Sequence, residues 1–264
     1  MSLAITVMDQ NKNKKAEITG KTQAVLAWNG IYEDGDTIRF SFAEGSQYYM
    51  LKVDDVMEES FIYCTEPELV YHIPFDEQKT SSNPKAFTGE RHYLCVRCAE
   101  EYEIGAYRNL ARNASDQHEV SGVYPHASAN VETRGEAVFA ARNAIDGVVA
   151  NLSHGSWPYE SWGINMQDDA EFKLDFGRPV DFDQIVLYTR ADFPHDNWWK
   201  QVTFIFSDGS SETVKLKKNI EPHRIPMIKK GITWLTFGTL IKADDPSPFP
   251  ALTQIEVYGR EHQK

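Results

Sequence analysis

The chain contains no hydrophobic run approaching the ~20 residues a membrane-spanning helix requires, so no segment reads as a span. Its first residues, Met1-Ser2-Leu3-Ala4-Ile5-Thr6-Val7-Met8, lack a basic lead-in and turn polar at Asp9, unlike a secretory signal. A cytoplasmic location is expected, or an extracellular one if an export signal has been removed ahead of this start. Basic charge is scarce: 27 Lys and Arg stand against 39 Asp and Glu, a formal net charge of -12. That excludes the basic footprint of a nucleic-acid binder and disfavours an anionic membrane surface, leaving neutral ligands and cations. Cysteine is scarce too. Cys64, Cys95 and Cys98 are too few, and odd in number, for a disulfide framework. The Cys95-x-x-Cys98 pair lies in a strand-like run, where residues three apart face opposite sides, so reduced thiols are expected rather than a zinc or redox site. No G-x-S-x-G elbow, phosphate-cradling glycine loop or H-E-x-x-H helix is present.

What is present is a succession of short alternating runs. The 264 residues suggest one or two domains. Ala24–Trp28 runs into the Asn29-Gly30 turn signal. Thr37–Phe42 alternates with period two, and Gln47–Val53, Ser60–Cys64 and His92–Ala99 follow. Leu69–Phe75 meets Pro74, as an edge strand or a strand end would. This spacing predicts an all-β N-terminal sandwich over residues 1–108. Glu100 to Gln117 reads as a short helix plus linker, with the linker proper at 109–119. From 120 to 264 the runs are again strand-like. Glu212–Leu216 is expected to pair with Val202–Phe206 across Ser207-Asp208-Gly209-Ser210.

One loop stands out. Between the runs Phe182–Tyr188 and Lys200–Phe206 lies T-R-A-D-F-P-H-D-N-W-W, carrying Arg190, Asp192, His195, Asp196, Asn197, Trp198 and Trp199. Flat aromatic faces beside polar groups are what a sugar needs, since its C–H faces stack and its hydroxyls hydrogen-bond. The alternative is a plug at the end of a sandwich core. Adjacent strand residues point to opposite faces, so only one of Trp198 and Trp199 easily turns inward.

Several motifs, in order, resemble the discoidin domain, also called the factor V/VIII type C domain. They are Asn143-Ala144-Ile145-Asp146-Gly147, Trp162, Phe172-Lys173-Leu174-Asp175-Phe176-Gly177, Ile185-Val186-Leu187, Ser207-Asp208-Gly209 and Ile255-Glu256-Val257-Tyr258-Gly259. The resemblance implies a galactose-binding-domain-like jelly roll, a fold shared with many bacterial carbohydrate-binding modules, for a little over half the chain. It also implies a structural Ca²⁺ held by Asp146, Asn151 and Glu256, together with loop carbonyls. Ligand-binding loops at one end of the sandwich would carry His154, Trp157, Trp162, Arg190, Asp192, His195, Asn197, Trp198 and Trp199. The expected function is non-catalytic recognition of a sugar or glycan. Two alternatives stay open. One is a carbohydrate-active enzyme, a glycoside hydrolase or lyase accessory, using Asp192, His195 and Asp196, with Glu160 as a further carboxylate. The other is a protein-interaction module or homo-oligomer. The N-terminal half resembles no named family.

Overall fold

In the computed structural model, residues 2–43, 47–118 and 120–263 are described; residues 1, 44–46, 119 and 264 of the expected spans lie outside the described residues. The fold is all-β, with two antiparallel sandwiches of separate cores.

The first sandwich is built from β1 (Leu3–Met8), β2 (Lys14–Gly20), β3 (Gln23–Asn29), β4 (Thr37–Ser41), β5 (Tyr48–Lys52), β6 (Ser60–Cys64), β7 (Glu68–His72) and β8 (Arg91–Cys98). One layer runs β2-β1-β4-β7; the other has β6-β5-β8-β3 in sequence across it. β7 is an edge strand, and Pro74, which has no N–H to donate to a further neighbour, follows it. Alternation decides the faces. In β3 the side chains of Ala24, Leu26 and Trp28 go inward and their neighbours face water. A one-turn helix, α1 (Asp76–Lys79), follows β7, and α2 (Glu101–Ile104) follows β8. The expected helix beyond Glu100 is therefore a single turn, closed by a reciprocal capping box between Glu100 and Glu103.

The stretch expected as a linker does not hang free. Strand β9 (Arg108–Asn109) pairs with the chain's last strand, Leu110 and Ala111 are buried in the second core, and the Asn113 N–H donates to the Ile145 carbonyl at 2.9 Å. The chain then turns back, and β10 (Val123–Tyr124) pairs with β6 of the first sandwich. Each unit thus holds a short strand contributed from the far side of the crossover.

The second unit comprises β11 (His126–Ala129), β12 (Trp162–Gly163), β13 (Phe172–Thr189), β14 (Trp199–Phe206), β15 (Ser211–Lys215), β16 (His223–Lys242) and β17 (Ala251–Glu261). It is a jelly-roll-type sandwich whose long strands β13 and β16 serve both layers. Phe172–Asp175 pairs with β11, whereas Val180–Thr189 pairs with β17, and register shifts fall between the two stretches. Gly177 makes that bend. It has φ +67°, and a Cβ there would meet the Tyr124 ring at 2.2 Å. β14 and β15 pair in the expected hairpin register, Val202 opposite Val214. Trp162, Phe172, Trp199, Phe204, Phe206 and Phe237 fill the core, each contributing at least the ~1.5–3 kcal/mol of a buried Phe or Leu.

The two units are joined by hydrogen bonds from the α1 region. Glu77 accepts the Ala137 N–H at 2.7 Å, and the Thr80 carbonyl accepts the Trp157 N–H at 2.9 Å. At the opposite end Glu261 accepts from Arg178 at 2.8 and 2.9 Å, from Arg108 at 2.5 Å and from the Tyr48 hydroxyl at 3.1 Å.

Candidate functional site

β13 ends at Thr189 and β14 begins at Trp199, so the loop foreseen in the sequence spans residues 190–198. Its hub is Asp196, which is fully buried. Arg190 donates to Asp196 Oδ1 from Nε at 2.9 Å and from Nη2 at 2.6 Å, and the Asp192 N–H donates to Oδ2 at 2.8 Å. Arg190 is itself buried and reaches the Phe249 carbonyl at 3.3 Å. A buried charge pair of this kind fixes the loop, because removing either partner leaves an uncompensated charge in a dry site.

This scaffold opens a cavity of about 160 Å³ at the end of the sandwich, lined among others by Arg134, His154, Asn165, Arg190, His195 and Phe249. That is below the ~300–1,000 Å³ of drug-sized ligand pockets, so it suits one small ring rather than an extended chain. One wall is a stack of three flat rings. His154 lies on His195 with centroids 4.1 Å apart and planes at 6°, and His195 lies on Phe249 at 5.4 Å and 12°. Phe249 is 41 % exposed, so part of its surface remains open. Asp192 orients His154 through a 2.7 Å contact to Nδ1. Three of the seven non-glycine residues with positive φ in the described chain, Arg134, Asn165 and Met166, line this one cavity. Such strain persists only where the surroundings enforce it, and it gathers at binding sites.

The nine residues expected to bind ligand separate into groups. His154, Arg190 and His195 line the cavity, and Asp192 braces His154. Asn197 is buried, and its amide donates to the Ala243 and Ser247 carbonyls, so it ties loops together rather than meeting a ligand. Trp162 and Trp199 are core residues at 0 and 1 % exposure; Trp199 opens β14 on its inward face, while Trp198, the last loop residue, is half-buried outside the cavity lining. Trp157 lies between the two sandwiches, beside Met57 and Arg112. The sequence reading missed Phe249, Arg134 and Asn165. An aromatic between prolines, Pro248-Phe249-Pro250, was a signal available for the first. The other two depend on backbone angles that a sequence does not display.

The carboxylate trio of the enzymatic alternative does not assemble. Asp196 is committed to Arg190, and Glu160 is buried beside Asp146, outside the cavity lining. A nitrogen or oxygen from each of His154, Asp192 and His195 lies within 4.8 Å of the others. The two imidazole planes are nearly parallel and stacked, however, so their in-plane lone pairs cannot converge on one ion in this arrangement.

The residues expected to hold Ca²⁺ have other hydrogen-bond partners. Asn151 spends its amide on the carbonyls of Thr189 and Ile220 at 3.0 and 2.9 Å, and Glu256 accepts the Tyr258 hydroxyl at 3.2 Å. The β17 residue that meets the Asp146 loop is Gln254, whose Oε1 accepts the Gly147 N–H at 3.2 Å. Glu256 stands two residues further on, about 6.6 Å along the strand. The carboxyl facing Asp146 is that of Glu160, which is 1 % exposed with both oxygens lacking a hydrogen-bond donor. Burial raises both acids, and repulsion from Glu160 raises Asp146 further. Nearby Arg142 turns its guanidinium to Ser81 instead. Two facing carboxyls in such a place require a shared proton or a hard cation with oxygen ligands.

No known protein family's profile matches the chain, and no curated protein matches it. Solved structures that resemble it include a mutant of a chitosan-binding module from a Paenibacillus chitosanase/glucanase, 18 % identical over 58 % of this chain and all of that one, with a TM-score of 0.40. Another is the lectin domain of lectinolysin complexed with the Lewis b antigen, 18 % identical over 57 % of this chain and 96 % of that one, with a TM-score of 0.42. A third is a Streptococcus pneumoniae fucose-binding module, 12 % identical over 58 % of this chain and 96 % of that one, with a TM-score of 0.41.

Proposed function

We propose that the chain is a non-catalytic carbohydrate-binding protein whose second sandwich takes one sugar residue, free or at the end of a glycan, in the cavity beside Arg190. The observation that carries this reading is the flat His154–His195–Phe249 wall standing next to a buried Arg190 that Asp196 holds in place. Phe249 and the ring stack offer a face for sugar C–H groups. Arg190, Arg134 and Asn165 offer donors for hydroxyl oxygens. Because Arg190 is preorganised, a ligand would not have to order it on binding. The Asp146–Glu160 pair is proposed as the seat of a structural Ca²⁺, which would neutralise both carboxyls and anchor the loop leading to His154.

A glycan array followed by calorimetry tests the sugar reading. Phe249→Ala is the informative variant, since Phe249 is partly exposed while Arg190 is too buried to remove cleanly. Binding should weaken about tenfold, equivalent to ~1.4 kcal/mol, with the melting temperature unchanged. No saccharide bound at ~10 mM, or a Phe249→Ala variant that binds as tightly as wild type, would overturn the assignment.

A further inference from the structure

The first sandwich contains a second cluster of polar groups, remote in sequence from the sugar cavity. A nitrogen of His92 and one oxygen each from Asp54 and Asp55 lie within 4.8 Å of one another. His92 projects from β8 and is 5 % exposed. Its Nε2 lies 3.0 Å from the Gly30 carbonyl, an oxygen that can only accept, so Nε2 carries the proton. The lone pair is therefore on Nδ1, which is buried and has no hydrogen-bond partner. Trp28 and Tyr32 pack on the ring, with centroids at 5.1 and 4.3 Å, and hold its orientation.

The carboxylates are arranged with similar care. Asp54 is 3 % exposed and is fixed at both oxygens by backbone donors, from Val56 at 3.0 Å and Phe87 at 2.9 Å. Asp55, in the same β5–β6 turn, is exposed and gives a route from solvent. The hydroxyl of Tyr32, whose side chain is 5 % exposed, is a second buried group without a partner; it lies in the field of both aspartates. A buried imidazole lone pair and a buried hydroxyl with nothing to bond are costly. Both costs are relieved if an ion held by the carboxylates also bonds these two groups.

We propose that His92, Asp54 and Asp55, with the Tyr32 hydroxyl beside them, form a binding site for a first-row divalent cation of the Zn²⁺ type. The donor set of one imidazole and two carboxylates suits such an ion better than Ca²⁺, which prefers six to eight oxygens. The Nε2–H to carbonyl bond is the supporting contact that metal-bound histidines characteristically make, and it fixes the tautomer that leaves Nδ1 free. Bound metal would tie the β5–β6 turn to β8.

The test uses the full chain without a histidine tag, stripped with chelator, in a His154→Ala background that removes the imidazole pair of the sugar cavity. Zn²⁺ is titrated by calorimetry, and Co²⁺ by absorption and tryptophan fluorescence, since Trp28 packs on the proposed ligand. One equivalent should bind, with quenching that disappears in Trp28→Phe. Asp55→Asn, at an exposed position, should weaken binding at least tenfold and leave the metal-free melting temperature unchanged; His92→Gln should do the same to binding if it folds. The proposal is overturned by no Zn²⁺ binding at ~1 mM, a modest ~4 kcal/mol requirement. It is equally overturned by binding that survives Asp55→Asn, or by a sulfur-to-cobalt charge-transfer band placing the ion on a cysteine.

Discussion

Replacing Glu261 by alanine should be among the most damaging single changes outside the two cores. Its carboxylate accepts four hydrogen bonds from three residues that are far apart in sequence: Arg178, Arg108 and Tyr48. The Arg178 side chain is 3 % exposed and that of Arg108 is 17 %, so neither guanidinium could recover full hydration once the partner is gone. Arg178 also lies over the rings of Tyr48 and Tyr63, at 5.8 and 5.5 Å, so it cannot swing out without abandoning them. Breaking one side of a buried charge network costs about 3–5 kcal/mol. For a unit of this size each kcal/mol shifts the midpoint by ~2–4 °C, so Glu261→Ala should melt on the order of 6–20 °C lower. Removing the charges together, in Glu261→Leu with Arg178→Met, should recover part of that loss. The pH sign is also fixed. Burial pushes the Glu261 carboxyl up, but Arg178 and Arg108 outweigh it and hold it below the ordinary carboxylate range. Its contribution is therefore complete above pH ~4.5 and fades as the pH falls through the lowered value. Urea titrations of wild type and variant at pH 7 and pH 3 measure both effects. A difference under ~1 kcal/mol at pH 7 would refute the reasoning, because that is the scale of an exposed pair.

Two further outcomes concern the second sandwich. Trp199→Ala should cost about 3–5 kcal/mol, the range for large aromatic deletions in a core, whereas Trp198→Ala should stay within ~1 kcal/mol; equal urea midpoints for the two would contradict the inward placement of Trp199. If Asp146 and Glu160 hold Ca²⁺, the ion at a hundredfold excess over its dissociation constant adds ~2.7 kcal/mol, and chelator should lower the melting temperature by several degrees. Glu160→Gln should abolish that response; a melting curve indifferent to both Ca²⁺ and chelator would leave a shared proton as the answer.

Strand-level features were legible because strand chemistry is periodic. Alternation and turn residues located the Ser207–Ser210 hairpin and the loop from Arg190 to Trp198, whereas Pro74 alone left β7 open between an edge strand and a strand end. Within that loop, Arg190 and His195, which line the cavity, stood out because charged and imidazole groups there are conspicuous. Their roles were not legible. Nothing in D-F-P-H-D-N says that Asp196 lies at 0 % exposure as the hub, or that Asn197 faces two carbonyls. Loops have no period, so side-chain direction cannot be counted off from neighbours. Trp157, Trp162 and Trp199 illustrate the same limit: tryptophan serves both a core and a sugar face, and only packing separates them. That Glu160 faces Asp146 was not legible for another reason. Glu256 sits in a recognisable terminal strand, whereas Glu160 lies in an aperiodic loop and reaches Asp146 only through the fold.

The exchange of short strands at the crossover has a bearing on how this protein could be divided or shuffled. Arg108–Asn109 covers part of the edge of β17, and Val123–Tyr124 covers part of β6. A cut anywhere between them would send each strand off with the wrong half. The separated pieces would bare backbone donors and acceptors that templates for aggregation present. A nick there, by contrast, would leave two fragments still gripping one another, each wearing a strand of the other's making. Joining either half to a new neighbour at this polar stretch would therefore break both pairings.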